Sequence, residues 1–350
     1  MADAIPAIQV TMLGGTGSGK TTYLVGMYAH LSAGLGNFFL HADNRDVDLD
    51  LASAWDAMIE DGLLPQPTTE EGGLQVFDFT FRYGVDPLLR LNWVDYRGGV
   101  IRDRDSSKQD VSQLVARLGE TDSVYITLDG ALLADVLEKK PAAETKLQSA
   151  IGRYARTLGE IADQRDTQNL IPPSVVLLIT KGDLLRSLLP GDVAQRERQA
   201  REWAQKLLPQ VFRHDWDVAV CIVSIGRIGR LTSSRVDPGE LAPFRIDRPM
   251  VFSLYSYYRR AAIAFAAIAG KAEQETADHQ RTRDDSRRTL LGRLLNGKQQ
   301  QQLDARMGDL RRYHDVMEGL AAECRLRCDI LADELLDTPM YIEGAWTAVR

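Results

Sequence analysis

The apolar residues of this chain form two kinds of run, which predict two kinds of β-strand. Three segments are almost continuously apolar, at residues 123–130, 174–180 and 218–224. Such runs are typical of parallel strands whose two faces are both covered by helices. A shorter apolar run at 7–13 predicts a further buried strand. Helical stretches near 131–168 and 191–208 separate the later runs, which favours an alternating α/β domain.

The second kind of run alternates apolar and polar residues. LQVFDFTFRY at 74–83 alternates, GVDP follows as a turn, and LLRLNWVDY at 88–96 alternates again. Two alternating runs joined by so short a turn predict an antiparallel hairpin. The preceding segment, 37–73, is expected to be irregular, with a helix within 50–64. The predicted sheet is therefore mostly parallel, with one antiparallel edge strand.

Beyond Pro249 the pattern changes to long helices, with a predicted turn at residues 296–302. Apolar or small residues then recur at steps of four and three, which makes a heptad seam of about five repeats. The seam consists of Leu303, Met307, Leu310, His314, Met317, Ala321, Cys324, Cys328, Leu331 and Leu335. We therefore predict an α/β domain at 1–248 and a C-terminal helical hairpin or coiled coil at 249–350.

Composition narrows the class of protein. The chain has 350 residues, of which 44% are hydrophobic and 26% charged, as in an ordinary globular protein. The net charge of −7 gives no bulk attraction to nucleic acid or anionic membranes. No signal peptide or membrane-spanning stretch is evident, and three cysteines give no disulfide framework. We therefore expect a cytoplasmic protein with neither a nucleic-acid partner nor a membrane span.

The loop after the first predicted strand carries the strongest chemical signal. Residues 14–21 match GxxxxGK[ST], followed by apolar residues at helical spacing. Glycines allow backbone N–H groups to approach phosphate oxygens at the positive end of the next helix. Lys20 is expected to reach the β- and γ-phosphates, and the Thr21 hydroxyl to bind Mg²⁺. The predicted nucleotide-contacting residues are Gly15, Thr16, Gly17, Ser18, Gly19, Lys20, Thr21 and Thr22.

A second motif follows the hairpin. WVDYRGG puts Asp95 at the end of a strand, the edge at which ligands of such sheets bind. A carboxylate there can hold Mg²⁺ through water, and the backbone N–H of Gly98 can contact the γ-phosphate. Arg97 is either a built-in arginine finger that stabilises charge on the transferred phosphate, or a residue of a solvated loop.

A third motif, TKGD, ends the strand at 174–180. It matches the guanine-recognition pattern [NT]KxD: Asp183 would accept two hydrogen bonds from guanine, and the stem of Lys181 would lie along the base. Adenine offers no such donor pair, which costs about 1–3 kcal/mol. Thr180, Ser224 and the backbone N–H of Ile225 are expected to complete the base pocket.

With these motifs in this order, residues 7–227 resemble a Ras-like GTPase domain of the translation-factor-related class. The long segment before the hairpin and the DYRGG ending resemble the bacterial double-GTPase-like families. The resemblance implies a three-layer phosphate-loop GTPase domain that binds GTP or GDP with Mg²⁺. It also implies a molecular switch that acts with a protein effector or an activating protein.

Residue 99 and a switch threonine both bear on the rate of GTP hydrolysis. Gly99 stands where Ras-like enzymes often carry a glutamine that orients water, so hydrolysis is expected to be slow without a partner. The resemblance also implies a switch threonine that binds Mg²⁺. Of Thr68 and Thr69 we favour Thr69, which lies nearer the hairpin strand, although either can be a plain loop threonine.

Three functions are compatible with these motifs. The first is a GTP-hydrolysing switch, with the C-terminal helices as an effector or self-association arm. The second is a nucleotide-binding module without significant turnover, which Gly99 keeps open. The third is an ATP-dependent kinase or ATPase, against which TKGD and the hairpin argue.

Overall fold

The computed structural model describes residues 5–65, 74–96, 108–168, 170–189, 192–213, 215–230, 235–288 and 297–347. The chain divides into two compact units. The first comprises Met1–Ser253 together with Glu334–Arg350, and the second is Leu254–Asp333.

The described strands of the first unit form one large sheet and one small ribbon. In chain order they are β1 (Ala7–Gly14), β2 (Phe38–Ala42), β3 (Leu74–Tyr83), β4 (Asp86–Tyr96), β5 (Ser123–Asp129), β6 (Ser174–Thr180), β7 (Val218–Ile222), β8 (Ser224–Gly226), β9 (Leu241–Phe244), β10 (Met340–Ile342) and β11 (Ala345–Thr347). The large sheet has the order β11-β10-β7-β6-β5-β1-β4-β3-β2, and β8 pairs with β9.

The centre of the sheet is parallel, as predicted. Strands β4, β1, β5, β6 and β7 are parallel neighbours, and β3 and β4 form the predicted antiparallel hairpin. The edge was not predicted: β2 pairs antiparallel with β3 and lies outside it. Because β2 has only five residues, its alternation is too short to stand out in the sequence.

The described helices are α1 (Lys20–Ser32), α2 (Arg45–Asp61), α3 (Lys108–Glu120), α4 (Gly130–Leu137), α5 (Ala143–Thr167), α6 (Gly182–Leu188), α7 (Val193–Leu207), α8 (Arg248–Arg288) and α9 (Gly297–Asp333). On one face of the sheet, residues of α3, α4, α5 and α7 share a core with strand residues such as Ile126 and Leu177. On the other face, Tyr23 of α1 packs with Trp93 and Tyr125. The first unit is therefore the predicted three-layer domain.

The end of the chain returns to this sheet. Residues 340–347, which the sequence analysis assigned to the helical arm, form β10 and β11, and Met340 pairs with Ala219 of β7. Phe212 lies against Tyr341 and Trp346, with ring centroids 5.2 and 5.4 Å away. Strands of three residues leave no periodic pattern that a sequence could reveal.

The second unit consists of parts of two long helices in contact, which confirms the predicted helical hairpin. Arg283 of α8 forms a 3.0 Å ion pair with Asp304 of α9, and the guanidinium of Arg327 lies over the ring of Tyr258. Nine of the ten residues of the heptad seam lie in this unit, Leu335 being the exception, and all ten are buried or half-buried. A bilayer-spanning helix needs a long apolar stretch, and none of the helices in the described residues contains one.

Candidate nucleotide-binding site

The phosphate loop, residues 14–21, connects β1 to α1 at the carboxyl edge of the parallel strands. Gly17 and Gly19 have φ angles of +73° and +86°, a region that favours glycine. A Cβ atom on Gly14 would lie 2.8 Å from both Ser18 Oγ and Thr127 Cβ. The loop therefore needs glycine for its turns and for its close packing on β5.

Two buried groups of opposite charge lie beneath this loop. The ammonium group of Lys20 donates to the carbonyl oxygens of Gly14 and Gly15, at 3.1 and 3.3 Å. Burial lowers the pKa of Lys20, and the nearby Asp95 partly offsets that effect. Burial likewise raises the pKa of Asp95 to about 6, and Lys20 acts in the opposite direction. Burial therefore disfavours the charged form of both groups.

The same corner has the chemistry of a magnesium site. Asp95 is only 1% exposed, and among the described residues its Oδ1 atom has no hydrogen-bond partner. Thr21 is half-buried in the first turn of α1. A buried carboxylate oxygen that has no hydrogen-bond donor among the described residues, together with a threonine hydroxyl in the first turn of α1, fits a hard cation or its bound water.

The TKGD segment is hydrogen-bonded to the phosphate loop. The hydroxyl of Thr180, at the end of β6, donates a 2.7 Å hydrogen bond to the carbonyl oxygen of Ser18. The ammonium of Lys181 donates to the carbonyl oxygen of Gly17 at 3.0 Å and pairs with Asp129 at 2.8 Å. The structure therefore brings the predicted base-binding and phosphate-binding residues together.

A cavity of about 320 Å³ opens next to this junction. Its walls include Gly19, Thr22, Thr180, Lys181, Asp183, Ser224 and Ile225, all of them predicted nucleotide-contacting residues. Asp183 accepts a 2.7 Å hydrogen bond from the backbone N–H of Gly229 on one carboxylate oxygen. Since a carboxylate can accept about four hydrogen bonds, Asp183 retains capacity for donors of a ligand.

Other residues of this cavity were not predicted. Leu64 enters the wall from the segment after α2, and Ile228 and Arg230 enter from the loop after β8. Arg230 forms ion pairs with Asp135 of α4 and with Glu138, the residue that caps the carboxyl end of α4, at 2.7 and 3.0 Å. No motif in the sequence marks these positions, because they reach the cavity only through the packing of distant segments.

Five predicted positions lie outside the described residues, among them the less favoured switch candidate Thr68. The other four are the favoured switch candidate Thr69 and three residues after β4, namely Arg97, Gly98 and Gly99. Thr16 is described and is an exposed residue of the phosphate loop.

The family comparison agrees with this geometry. The sequence model of the family described as Double-GTPase 2 matches residues 8–224, which is more than half of the chain. No curated protein matches the chain. The matched region runs from the first strand to Ser224 and contains the phosphate loop, Asp95 and TKGD. The chain therefore belongs to the Double-GTPase 2 family and is a phosphate-loop GTPase of the double-GTPase type.

Proposed function

We propose that this protein binds GTP with Mg²⁺, hydrolyses it slowly to GDP and phosphate, and thereby switches its contact with a protein partner. The observation that carries the proposal is the cavity beside the phosphate loop, because Asp183 and Ser224 line it together with Gly19. Family membership supports guanine-nucleotide binding in general. Hydrolysis, the metal and the partner belong to the proposal.

Guanine fits the polar groups of the cavity better than adenine does. The ring N–H and the amino group of guanine are two donors for the carboxylate of Asp183, and the Gly229 N–H already orients that carboxylate. Adenine would leave the carboxylate without this donor pair, a loss of about 1–3 kcal/mol. Discrimination of roughly tenfold or more therefore follows from this one residue.

The phosphates and the metal would occupy the neighbouring loop. Lys20 would exchange its bonds to the loop carbonyls for bonds to the β- and γ-phosphates. The Thr21 hydroxyl and, through water, Asp95 would hold Mg²⁺, which when bound supplies charge neutralisation for the phosphate oxygens. Thr69 is the proposed additional metal ligand, and the backbone N–H of Gly98 the proposed contact to the γ-phosphate.

Slow turnover is proposed from the sequence after β4. Gly99 has no side chain with which to orient the attacking water. An arginine that stabilises charge in the transition state raises the rate of GTP hydrolysis by about 10³–10⁵-fold. Arg97 is the proposed internal arginine. An activating protein partner is the other source of the missing group.

Calorimetric titration tests the nucleotide assignment. The Mg²⁺-containing native protein should bind GTP and GDP at least about tenfold more tightly than ATP and ADP. Asp183→Ala should lose that preference, whereas Asp86→Ala, at an exposed position remote from the cavity, should retain it. Equal affinity of the native protein for GTP and ATP would refute guanine recognition.

Single-turnover hydrolysis separates the switch from a binding module without turnover. A measurable rate that Arg97→Ala reduces would support the proposed catalytic group. A native protein that binds GTP but forms no GDP over several hours would favour the binding module, the function that Gly99 keeps open.

A further inference from the structure

The end of α2 is joined to Arg235 and Val236, in the segment between β8 and β9, by backbone contacts. The backbone N–H of Val236 donates a 2.8 Å hydrogen bond to the carbonyl oxygen of Gly62, and Leu63 forms a β-bridge with Arg235. Gly62 has a φ of +67°, and a Cβ atom there would lie 2.0 Å from the carbonyl oxygen of Val236. No side chain larger than hydrogen can occupy this position without separating the two backbones.

This junction brings an apolar side chain to the nucleotide cavity. Leu64, the next residue after the bridge, lines the cavity that Lys181 and Asp183 also line. Leu64 is half-buried in this wall, and none of the three sequence motifs includes it. An apolar side chain at the edge of a base pocket can cover the face or edge of the base and exclude water.

Described residues on the partner side of this junction make further contacts. Gly229 donates to Asp183 at 2.7 Å, and Arg230 pairs with Asp135 of α4 at 2.7 Å. Farther along, Val236 is fixed to Gly62. The hydrogen bond between Val236 and Gly62 and the bridge between Leu63 and Arg235 therefore link the position of Leu64 to this segment.

We propose that Gly62, Leu63 and Leu64, bound to Arg235 and Val236, form a clasp that holds Leu64 against the guanine base and sets the rate at which nucleotide leaves. This inference rests on the proposed function, because it assigns the same cavity to the base. The clasp acts on release: Leu64 contacts the base directly, whereas Gly62 is a positioning residue that holds Leu64 in place.

Stopped-flow release of a fluorescent GDP analogue measures the role of Leu64. Leu64→Ala should release the analogue about 3- to 10-fold faster. Truncating this half-buried leucine removes its proposed apolar contact with the base, and the loss of such a contact changes a dissociation rate by about that factor. Its association rate should stay near the native value, since changes within one interface act mainly on dissociation. Leu49→Ala removes the same atoms from an exposed position of α2 and should release at the native rate.

Gly62→Ala tests the backbone junction. Gly84→Ala is the matched control, since Gly84 also has a positive φ, of +56°, but its nearest neighbour would lie 3.6 Å from an added Cβ atom. Gly62→Ala should accelerate release as Leu64→Ala does, and the Val236 amide should exchange hydrogen faster. Gly84→Ala should change neither quantity. If Gly62→Ala does not fold, the pair Leu64→Ala and Leu49→Ala decides alone.

The outcomes separate this inference from the function on which it rests. A native protein that binds the fluorescent GDP, with release unchanged in Leu64→Ala and in folded Gly62→Ala, would overturn the clasp and leave GTP binding intact. A native protein that binds no guanine nucleotide would overturn both. Faster release in Leu49→Ala or Gly84→Ala, to the same degree, would also reject the clasp, because the effect would then be general destabilisation.

Discussion

The hydroxyl of Thr180 donates a 2.7 Å hydrogen bond to the carbonyl oxygen of Ser18, which joins the end of β6 to the phosphate loop. Thr180 is only 4% exposed, so this bond lies in the interior. The TKGD segment therefore supports the shape of the phosphate loop. A threonine hydroxyl is sufficient for this contact.

Thr180→Val should destabilise the protein and weaken nucleotide binding together. Valine keeps the shape of threonine but leaves the Ser18 carbonyl oxygen without this donor, which costs about 1–3 kcal/mol of unfolding free energy. Urea unfolding and calorimetric titration measure the two effects. Thr180→Ser retains the hydroxyl and should lie closer to the native protein in both. Equal behaviour of the valine and serine variants would contradict a role for this hydrogen bond.

The raised pKa of Asp95 predicts how stability depends on pH in the protein free of nucleotide and metal. The pKa is about 6 in the folded protein and near 3.9 in the unfolded chain. Between those values the folded state binds more protons than the unfolded state, so the free energy of unfolding falls as pH rises. Asp95 should therefore cost roughly 2–3 kcal/mol above pH 6.

Asp95→Asn removes this ionisation and should be more stable than the native protein at pH 7, by an amount that shrinks towards pH 4. Urea unfolding at both pH values, without nucleotide or Mg²⁺, measures the difference. The same variant should lose the Mg²⁺ dependence of GTP binding, because the proposed metal contact is gone. Asp86→Asn, at an exposed position, serves as the control. A stability gain in Asp95→Asn that does not depend on pH would contradict the assignment.

Neighbouring glycines of the phosphate loop should tolerate alanine differently. An added Cβ at Gly14 would lie 2.8 Å from Ser18 Oγ and Thr127 Cβ, whereas one at Gly15 would have nothing within 4 Å. Gly14→Ala should therefore distort the loop and reduce GTP affinity by at least about tenfold, which is 1.4 kcal/mol. Gly15→Ala should fold normally and lose less affinity. Calorimetric titration of both variants checks the ranking, and a reversed order would show that loop packing does not control binding.

The sequence predicted the parts of the fold that repeat a local pattern. Continuous apolar runs predicted β5, β6 and β7, and alternation predicted the hairpin of β3 and β4. A helix was expected within 50–64, and α2 occupies Arg45–Asp61, with Asn44 as its N-cap. The short strands β2, β10 and β11 were missed, because pairing with longer strands, and not their own periodicity, makes them strands.

The residues of the candidate site also form two groups, namely those that the sequence could identify and those that it could not. Lys20, Asp95 and Asp183 stand in motifs whose chemistry dictates residue type and spacing, so they could be named from the sequence. Leu64 and Arg230 have no such spacing. They reach the cavity through a backbone junction and an ion pair between segments far apart in the chain. A single sequence does not carry that information.

The return of β10 and β11 to the sheet changes how the C-terminal arm should be tested. Cutting the chain after α8 would also remove two strands of the sheet, so point substitutions are the sharper experiment. The seam itself offers little free surface, since Met307 is 3% exposed and Leu310 and Met317 are half-buried. A second stripe on α9 is more open: Tyr313 and Val316 are 48% and 56% exposed.

If the arm mediates self-association, this second stripe is the expected contact, because residues three apart lie on one face of a helix. Tyr313→Asp combined with Val316→Asp should then convert the protein to monomers in light scattering, since burying two carboxylates in an apolar contact is unfavourable. GTP affinity should be unchanged. Ala264→Asp combined with Ala322→Asp adds the same charge at other exposed positions of the two helices and should leave association intact. Identical masses for the native protein and both double variants would show that this stripe does not mediate self-association.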